Sequence, residues 1–274
     1  MQLSLAQQCK ALKLANVPLI YQDLPFHEAE QYLNELFAEE LRVRQNKRID
    51  MLIKTAGFPN SKSLENFDWS PVTMSETSSK TDLTELKFIE RCENILAVGA
   101  VGTGKTFLAT ALGLRACAKG KAVRFFRCLD LVNILLENHR LGRLKKMMSL
   151  LGKAELLIID ELGFVPLNRD GAELLFNVVA QAYEKQSIII TSNLQFGHWN
   201  SVLGDNRLTA ALIDRLVHHA HILAFAGKSY RLKQALSGLK DTKNDNEEAE
   251  IEQEMNKCFP FPMGEGKGGW ISSS

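Results

Sequence analysis

The residues Gly99-Ala100-Val101-Gly102-Thr103-Gly104-Lys105-Thr106 fit the pattern GxxxxGK[ST] at every fixed position. Chemistry sets that spacing. Three glycines let the backbone curl until successive N–H groups point at phosphate oxygens. A helix opening near Lys105 adds the positive end of its dipole. The Lys105 ammonium can reach β- and γ-phosphates, and the Thr106 hydroxyl can bind Mg²⁺. The pattern follows an apolar run and opens a helical segment, which is the setting such a loop needs.

Two acids, Asp160-Glu161, close the apolar run Leu156-Leu157-Ile158-Ile159. In open α/β sheets, ligands sit beyond the carboxyl ends of strands. An aspartate there can hold Mg²⁺, and the neighbouring glutamate can orient or deprotonate an attacking water. Thr191-Ser192-Asn193 ends the next apolar run, where an amide could position the same water. A helix cap or turn is the plainer reading of that triplet.

These groups need a scaffold, and the residues from Asn94 onward describe one. Short apolar runs occur at Ile95–Val98, Val123–Phe126, Leu156–Ile159, Ser187–Ile190 and Ile222–Phe225. Helical segments such as Thr106–Lys119 and Asp170–Lys185 fill the gaps. Continuous apolar runs of this length suit strands buried on both faces of a parallel sheet. Strand–helix alternation implies a doubly wound α/β domain.

Residues 1–75 read as a small all-helical domain. One long basic helix is expected from His27 to Lys54, with Leu33, Leu36, Phe37, Leu41, Met51 and Leu52 on a single apolar stripe. It should stop at Gly57-Phe58-Pro59. The polar stretch 70–82 reads as a linker. The expected division is a helical domain at 1–75, an ATPase domain at 76–238, and a disordered acidic tail at 239–274.

Composition narrows the classes. The 274 residues are 45% hydrophobic and 24% charged, with a formal net charge of +1. Residues 240–274 hold eight acids against four lysines, so the rest of the chain is mildly basic. That is compatible with binding nucleic acid. No apolar run reaches the length of a membrane span, and no secretory signal opens the chain. Five dispersed cysteines without a CxxC pair argue against a disulfide framework or zinc ribbon. A reducing cytoplasm is the expected compartment.

Two stretches lack acids and carry cations. One, between Glu93 and Asp130, has Arg115, Lys119, Lys121, Arg124 and Arg127. The other, between Glu137 and Glu155, has Arg140, Arg143, Lys145, Lys146 and Lys153. Clustered like charge collects phosphates; the plain alternative is a solvated helix face. Arg140, Arg143, Lys145 and Lys146 are the favoured DNA-binding residues, with contacts to backbone and shape rather than base edges. His218-His219-Ala220-His221 looks like a metal motif, but no carboxylate or thiol accompanies it in the sequence, so no metal is expected there.

With these motifs in order, the chain resembles AAA+ ATPases. More narrowly, it resembles the IstB-like helper ATPases of insertion-sequence transposition, relatives of the DnaC helicase loaders. The resemblance covers roughly residues 10–236. It rests on Leu12-Lys13-Leu14, the basic helix, Ala56-Gly57-Phe58-Pro59 and Ser63-Leu64-Glu65-Asn66-Phe67-Asp68. In the second half it rests on the phosphate loop, Leu156–Glu161, Thr191-Ser192-Asn193, Leu216-Val217 and Gly227-Lys228-Ser229-Tyr230-Arg231-Leu232. The resemblance implies ATP and Mg²⁺ as cofactors. It implies nucleotide binding by Gly99, Gly102, Thr103, Gly104, Lys105, Thr106, Phe107 and Arg231, with metal held by Thr106 and Asp160. Catalytic roles would fall to Glu161, Asn193 and Arg215, the last as a finger reaching ATP on a neighbouring subunit. Arg207 competes with Arg215 for that role. Phe107 stands where relatives often carry His, and it begins the helix behind the phosphates.

The resulting expectation is an ATP-dependent regulator that self-assembles on duplex DNA and recruits or activates a cognate transposase. Two alternatives stay open: a replicative helicase loader on single-stranded DNA, and a monomeric P-loop kinase. A non-hydrolysing scaffold is a third, against which Glu161 and Asn193 argue. The expected partners are duplex DNA, a transposase and further copies of the chain, with no membrane.

Overall fold

The computed structural model describes residues 4–25, 28–75, 78–227 and 229–230. Arg231 and the tail 239–274 lie outside the described residues. In chain order the elements are α1 (Leu5–Ala11), α2 (Val17–Ile20), α3 (Ala29–Ala56), β1 (Val72–Met74), α4 (Lys80–Glu85), α5 (Lys87–Glu90) and β2 (Asn94–Gly99). Then follow α6 (Lys105–Ala118), β3 (Val123–Arg127), α7 (Cys128–Arg140), α8 (Leu144–Leu151), β4 (Leu156–Leu162), α9 (Arg169–Ala182), β5 (Ser187–Ser192), α10 (Asn200–Leu203), α11 (Asn206–Val217) and β6 (Ala220–Phe225).

The strands form one sheet in the order β1-β6-β2-β5-β4-β3. All neighbours pair in parallel except β1, which runs antiparallel to β6 at the edge. Burial explains the continuous apolar runs. Side chains alternate across a strand, and here both faces are covered. Leu157, Ile159, Ile188 and Ile190 enter a core with α7, α9 and α11. Leu156, Ile158 and Ile189 enter a second core with α6 and the end of α3. The expected α/β architecture with a parallel sheet between helices is the one observed.

The stretch 70–82 is not only a linker. Val72, Thr73 and Met74 pair with Phe225, Ala224 and Leu223. Val72 and Met74 pack on the core while Thr73 faces out, and a strand of three residues within a polar stretch is too short to show as an apolar run.

Helix α3 spans 28 residues and ends at Gly57, whose φ of 80° is left-handed. No single neighbour covers its apolar stripe. Leu36 is buried with Cys9 and Val17 in a small cluster with α1 and α2. Leu52 and Ile53 pack on the sheet-side core. Leu33, Phe37, Leu41 and Met51 are exposed.

After the turn at Gly57, Phe58 packs against Phe125 with ring centroids 6.0 Å apart. It also fills the space over Gly113 in α6. A Cβ there would lie 2.6 Å from the Phe58 ring and 2.8 Å from Ile158 Cδ1. Overpacking of this kind costs about 1–3 kcal/mol, and the helix propensity of alanine offsets roughly 1 kcal/mol of it. Gly113→Ala should therefore lower the denaturation midpoint. An unchanged or higher midpoint would mean that the Phe58 ring moves aside without cost.

Burial pushes the Cys117 thiol up to about 11 and the Cys128 thiol up to about 12. At neutral pH both are protonated thiols rather than thiolate nucleophiles. The described cysteines are free thiols. Among the described residues, no helix is long and apolar enough to cross a membrane.

Candidate functional site

The loop between β2 and α6 sits at the carboxyl edge of the sheet. Its glycines are there for two physical reasons. Gly99 pairs with Phe225 across the sheet, and a Cβ on it would lie 2.3 Å from the Phe225 carbonyl oxygen. Gly102 has φ 79°, and a Cβ on it would lie 2.1 Å from Ser229 Oγ. The chain leaving β6 thus lies over the loop. The Tyr230 N–H donates to the Gly102 carbonyl at 2.9 Å, and the Tyr230 phenol donates to Asp68. Beside the loop is a cleft of about 340 Å³ lined by Asp68, Ser70, Pro71, Thr103, Gly227 and Tyr230.

Lys105, the first residue of α6, is buried. Its ammonium donates to the carbonyls of Gly99 (2.8 Å) and Ala100 (2.6 Å). The Thr103 hydroxyl donates to Ala100 O at 2.8 Å. Phe107 turns its ring to Phe67, 5.6 Å between centroids, with Lys62 over it.

Asp160 meets this loop. It is 2% exposed, and the Thr106 hydroxyl donates to its Oδ1 at 2.9 Å. The pair offers the hard oxygen donors that Mg²⁺ takes. The Thr191 hydroxyl donates to the same Oδ1 at 2.5 Å and accepts from the Glu161 N–H at 2.9 Å. One hydroxyl on β5 therefore fixes both the carboxylate and the backbone of the residue after it. Ser192 adds a second tie, Oγ to Leu162 O at 2.6 Å.

Glu161 stands apart from its neighbour. Its φ is 61°, in the left-handed region that costs a residue with a side chain about 1 kcal/mol or more. The turn sends the carboxylate outward, to 46% exposure, with Arg127 Nε 4.0 Å away. An exposed pair at that distance holds the carboxylate only weakly. Asn193 lies against the same turn. Its Oδ1 is buried and meets no donor among the described residues. A Cβ on Gly163 would lie 3.3 Å from it.

The structure thus brings Gly99–Thr106, Asp160, Glu161 and Asn193 to one edge. Arg215 is elsewhere. It lies in the last turn of α11, whose chain then enters the amino end of β6. Strands β2 and β6 are parallel, with Asn94 opposite Ala220. Arg215 is therefore a strand length, roughly 20 Å, from its own phosphate loop. It stacks on Phe176 at 4.6 Å and donates to Ala211 O at 3.1 Å. Arg207 is exposed in the first turn of the same helix.

The basic residues also separate. Lys119 donates to Glu85 O, Lys121 pairs with Glu155, Arg124 donates to Thr55 O, and Arg127 faces Glu161. Arg140, Arg143, Lys145 and Lys146 are exposed around the turn from α7 to α8. Among the described residues no carboxylate pairs with them.

Sequence reasoning left four residues around the site without a role there. Thr191 belongs to the quoted Thr-Ser-Asn triplet, but only the fold puts its hydroxyl on Asp160. Arg127 ends β3 in register with Asp160, which strand pairing reveals and spacing does not. Asp68 and Tyr230 meet over the loop from opposite ends of the chain.

Comparison with known proteins agrees with this geometry. The family model described as IstB-like ATP binding protein matches residues 19–238. The ATP-binding protein of insertion sequence IS5376 from Geobacillus stearothermophilus is 39% identical over 204 residues, covering 74% of this chain and 81% of its own. The ATP-binding protein of insertion sequence IS21 from Pseudomonas aeruginosa is 37% identical over 214 residues, covering 78% and 81%. Among solved structures, the replication initiator DnaA bound to AMPPCP and single-stranded DNA superposes with a TM-score of 0.50. That likeness has 20% identity, covers 75% of this chain and 67% of the other, and bears on the fold alone. A match of this extent, on a loop that folds as a phosphate cradle against a buried aspartate, places the chain in the family of IstB-like ATP-binding proteins of insertion sequences.

Proposed function

We propose that this chain is an ATP-hydrolysing assembly factor for transposition. In this reading ATP and Mg²⁺ join subunits side by side, the assembly grips duplex DNA, and the assembled form recruits or activates a cognate transposase. The observation that carries it is the position of Arg215, which lies too far from its own phosphate loop to act there and so needs a second subunit. ATP shifts the equilibrium because it binds the assembled state better than the free one.

Each residue has a task. The loop N–H groups and Lys105 hold the phosphates. Thr106 and Asp160 hold Mg²⁺, which when bound neutralises charge on the β- and γ-phosphates. Glu161 orients and deprotonates the attacking water, and Asn193 holds that water in line. Arg215 of one subunit meets the developing charge on the ATP of the next. Phe107 supports the site by packing, and Arg231 is a further nucleotide contact. We divide the chain at 1–75, 76–238 and 239–274; the last strand of the first segment, β1 (Val72–Met74), pairs with β6 of the second.

The exposed Leu33, Phe37 and Leu41, spaced by four residues on α3, suit a protein contact. Arg140, Arg143, Lys145 and Lys146 suit a phosphate backbone, since they are exposed and no carboxylate among the described residues pairs with them. Changing Arg143, Lys145 and Lys146 to alanine should weaken duplex binding and flatten its dependence on salt by about three charges. Equal affinity in the triple variant would remove this surface from the reading.

The whole reading is tested by ATP turnover per subunit against protein concentration, with and without duplex DNA. A rate that climbs with concentration and with DNA is expected. A constant rate per subunit would make the chain a self-contained enzyme and overturn the proposal.

A further inference from the structure

Two imidazoles and a carboxylate meet at the edge of the sheet remote from the phosphate loop. His218 caps the end of α11, His219 follows it, and Glu184 stands in the turn from α9 to β5. A ligand atom of each lies within 4.8 Å of the other two, and all three residues are exposed. The carboxylate that sequence reasoning missed beside His218-His219 comes from a different part of the chain. His221, the third histidine of the run, does not take part. It is buried, with Nε2 3.0 Å from Glu93 Oε2 and Nδ1 2.9 Å from Ser78 Oγ.

We propose that Glu184, His218 and His219 form a binding site for a divalent transition-metal ion of the zinc class. Imidazole nitrogen with one carboxylate oxygen is a donor set that such ions prefer, whereas Mg²⁺ takes oxygen alone. Zinc bonds to nitrogen and oxygen are about 2.0–2.2 Å, so ligand atoms around one ion stand roughly 3.4 Å apart. Closing from 4.8 Å needs only side-chain rotation, which exposure permits. Three ligands leave a fourth tetrahedral position open to water or to a group from another molecule.

The surroundings favour an ion here. The Tyr183 hydroxyl lies 2.9 Å from His218 Nδ1. That contact fixes the ring and leaves Nε2 as its ligand atom, the arrangement by which outer groups orient metal ligands. A metal held through Nε2 leaves the imidazole proton on Nδ1, which then donates to the Tyr183 oxygen. The last carbonyls of α11 place partial negative charge beside His218. Asp214 adds to that charge near Tyr183 and Arg215 opposes it. An ion bound here would pin the end of α11 to the α9–β5 turn.

The test is a zinc titration of the full chain, free of chelator and nucleotide, against a chromophoric competitor. One Zn²⁺ per chain is expected, with Co²⁺ giving visible absorption at the same stoichiometry. His218→Ala, His219→Ala and Glu184→Gln should each weaken binding tenfold or more, and Tyr183→Phe by about tenfold. Glu184→Gln and Tyr183→Phe change exposed or half-exposed groups little in size, so they report even if a histidine variant folds poorly. ATP binding should stay unchanged in all four, since none contacts the nucleotide loop. Absence of zinc binding by the wild-type chain, or binding as tight in the four variants as in wild type, would overturn the proposal.

Discussion

Glu161→Gln should bind ATP as the wild type does and turn it over about 10²–10⁴ times more slowly, the range that a positioned general base supplies. The two adjacent acids are in opposite environments, and that difference assigns their tasks. Asp160 is buried and tied by the hydroxyls of Thr106 and Thr191, so it is built to stay still and hold a cation. Glu161 is 46% exposed at the end of a left-handed turn, so its carboxylate is hydrated and able to meet a water. The Arg127 contact at 4.0 Å is too long and too exposed to lock it. Glutamine keeps the shape and removes the proton acceptor, which leaves the loop and the metal ligands as they are. Lys105→Ala is the contrasting variant, because it should lose nucleotide binding itself. Equilibrium binding of a fluorescent ATP analogue beside steady-state turnover separates the two. Unimpaired turnover in Glu161→Gln would move the base to another group.

The phosphate cradle was legible in the sequence because local chemistry alone dictates it. Glycines at fixed offsets, a lysine and a hydroxyl must be adjacent in the chain to act together. The buried strands were legible for a related reason: two covered faces demand unbroken apolar runs, and Leu156–Ile159 is one. What the sequence could not show depends on pairing between distant segments. The short edge strand Val72–Met74, set in a polar stretch, is defined by its partner Leu223–Phe225 rather than by its own composition. The Thr191 tie to Asp160 needs the register of β4 and β5. Helix α3 looked like one stripe because spacing along a helix shows which residues share a face, not which neighbour covers each part. The α1–α2 cluster takes Leu36, the sheet-side core takes Leu52, and Phe37 and Leu41 are left to solvent. Glu184 reaches His218 and His219 in the same way, through the packing of α9 against α11.

The position of Arg215 leads to the second large effect, a loss of about 10³–10⁵ in turnover for Arg215→Ala, the range for an arginine supplied in trans. Its own phosphate loop lies at the other end of parallel strands, so Arg215 cannot serve it. Arg207 is the comparison: it is exposed at the other end of α11, and Arg207→Ala should retain turnover. Arg215 also stacks on Phe176, so a slow variant by itself could reflect a disturbed helix. Mixing separates the two causes. Lys105→Ala subunits lack a nucleotide site but keep the finger, and Arg215→Ala subunits keep the site but lack the finger. Each alone should be inactive. Mixed, an intact site and an intact finger meet at some of the interfaces, and activity should return in proportion to them. A disturbed helix would give no such recovery, because no neighbour can repair it. Recovery on mixing would therefore fix the finger as shared between chains. Its absence, with Arg207→Ala inactive instead, would give the role to Arg207.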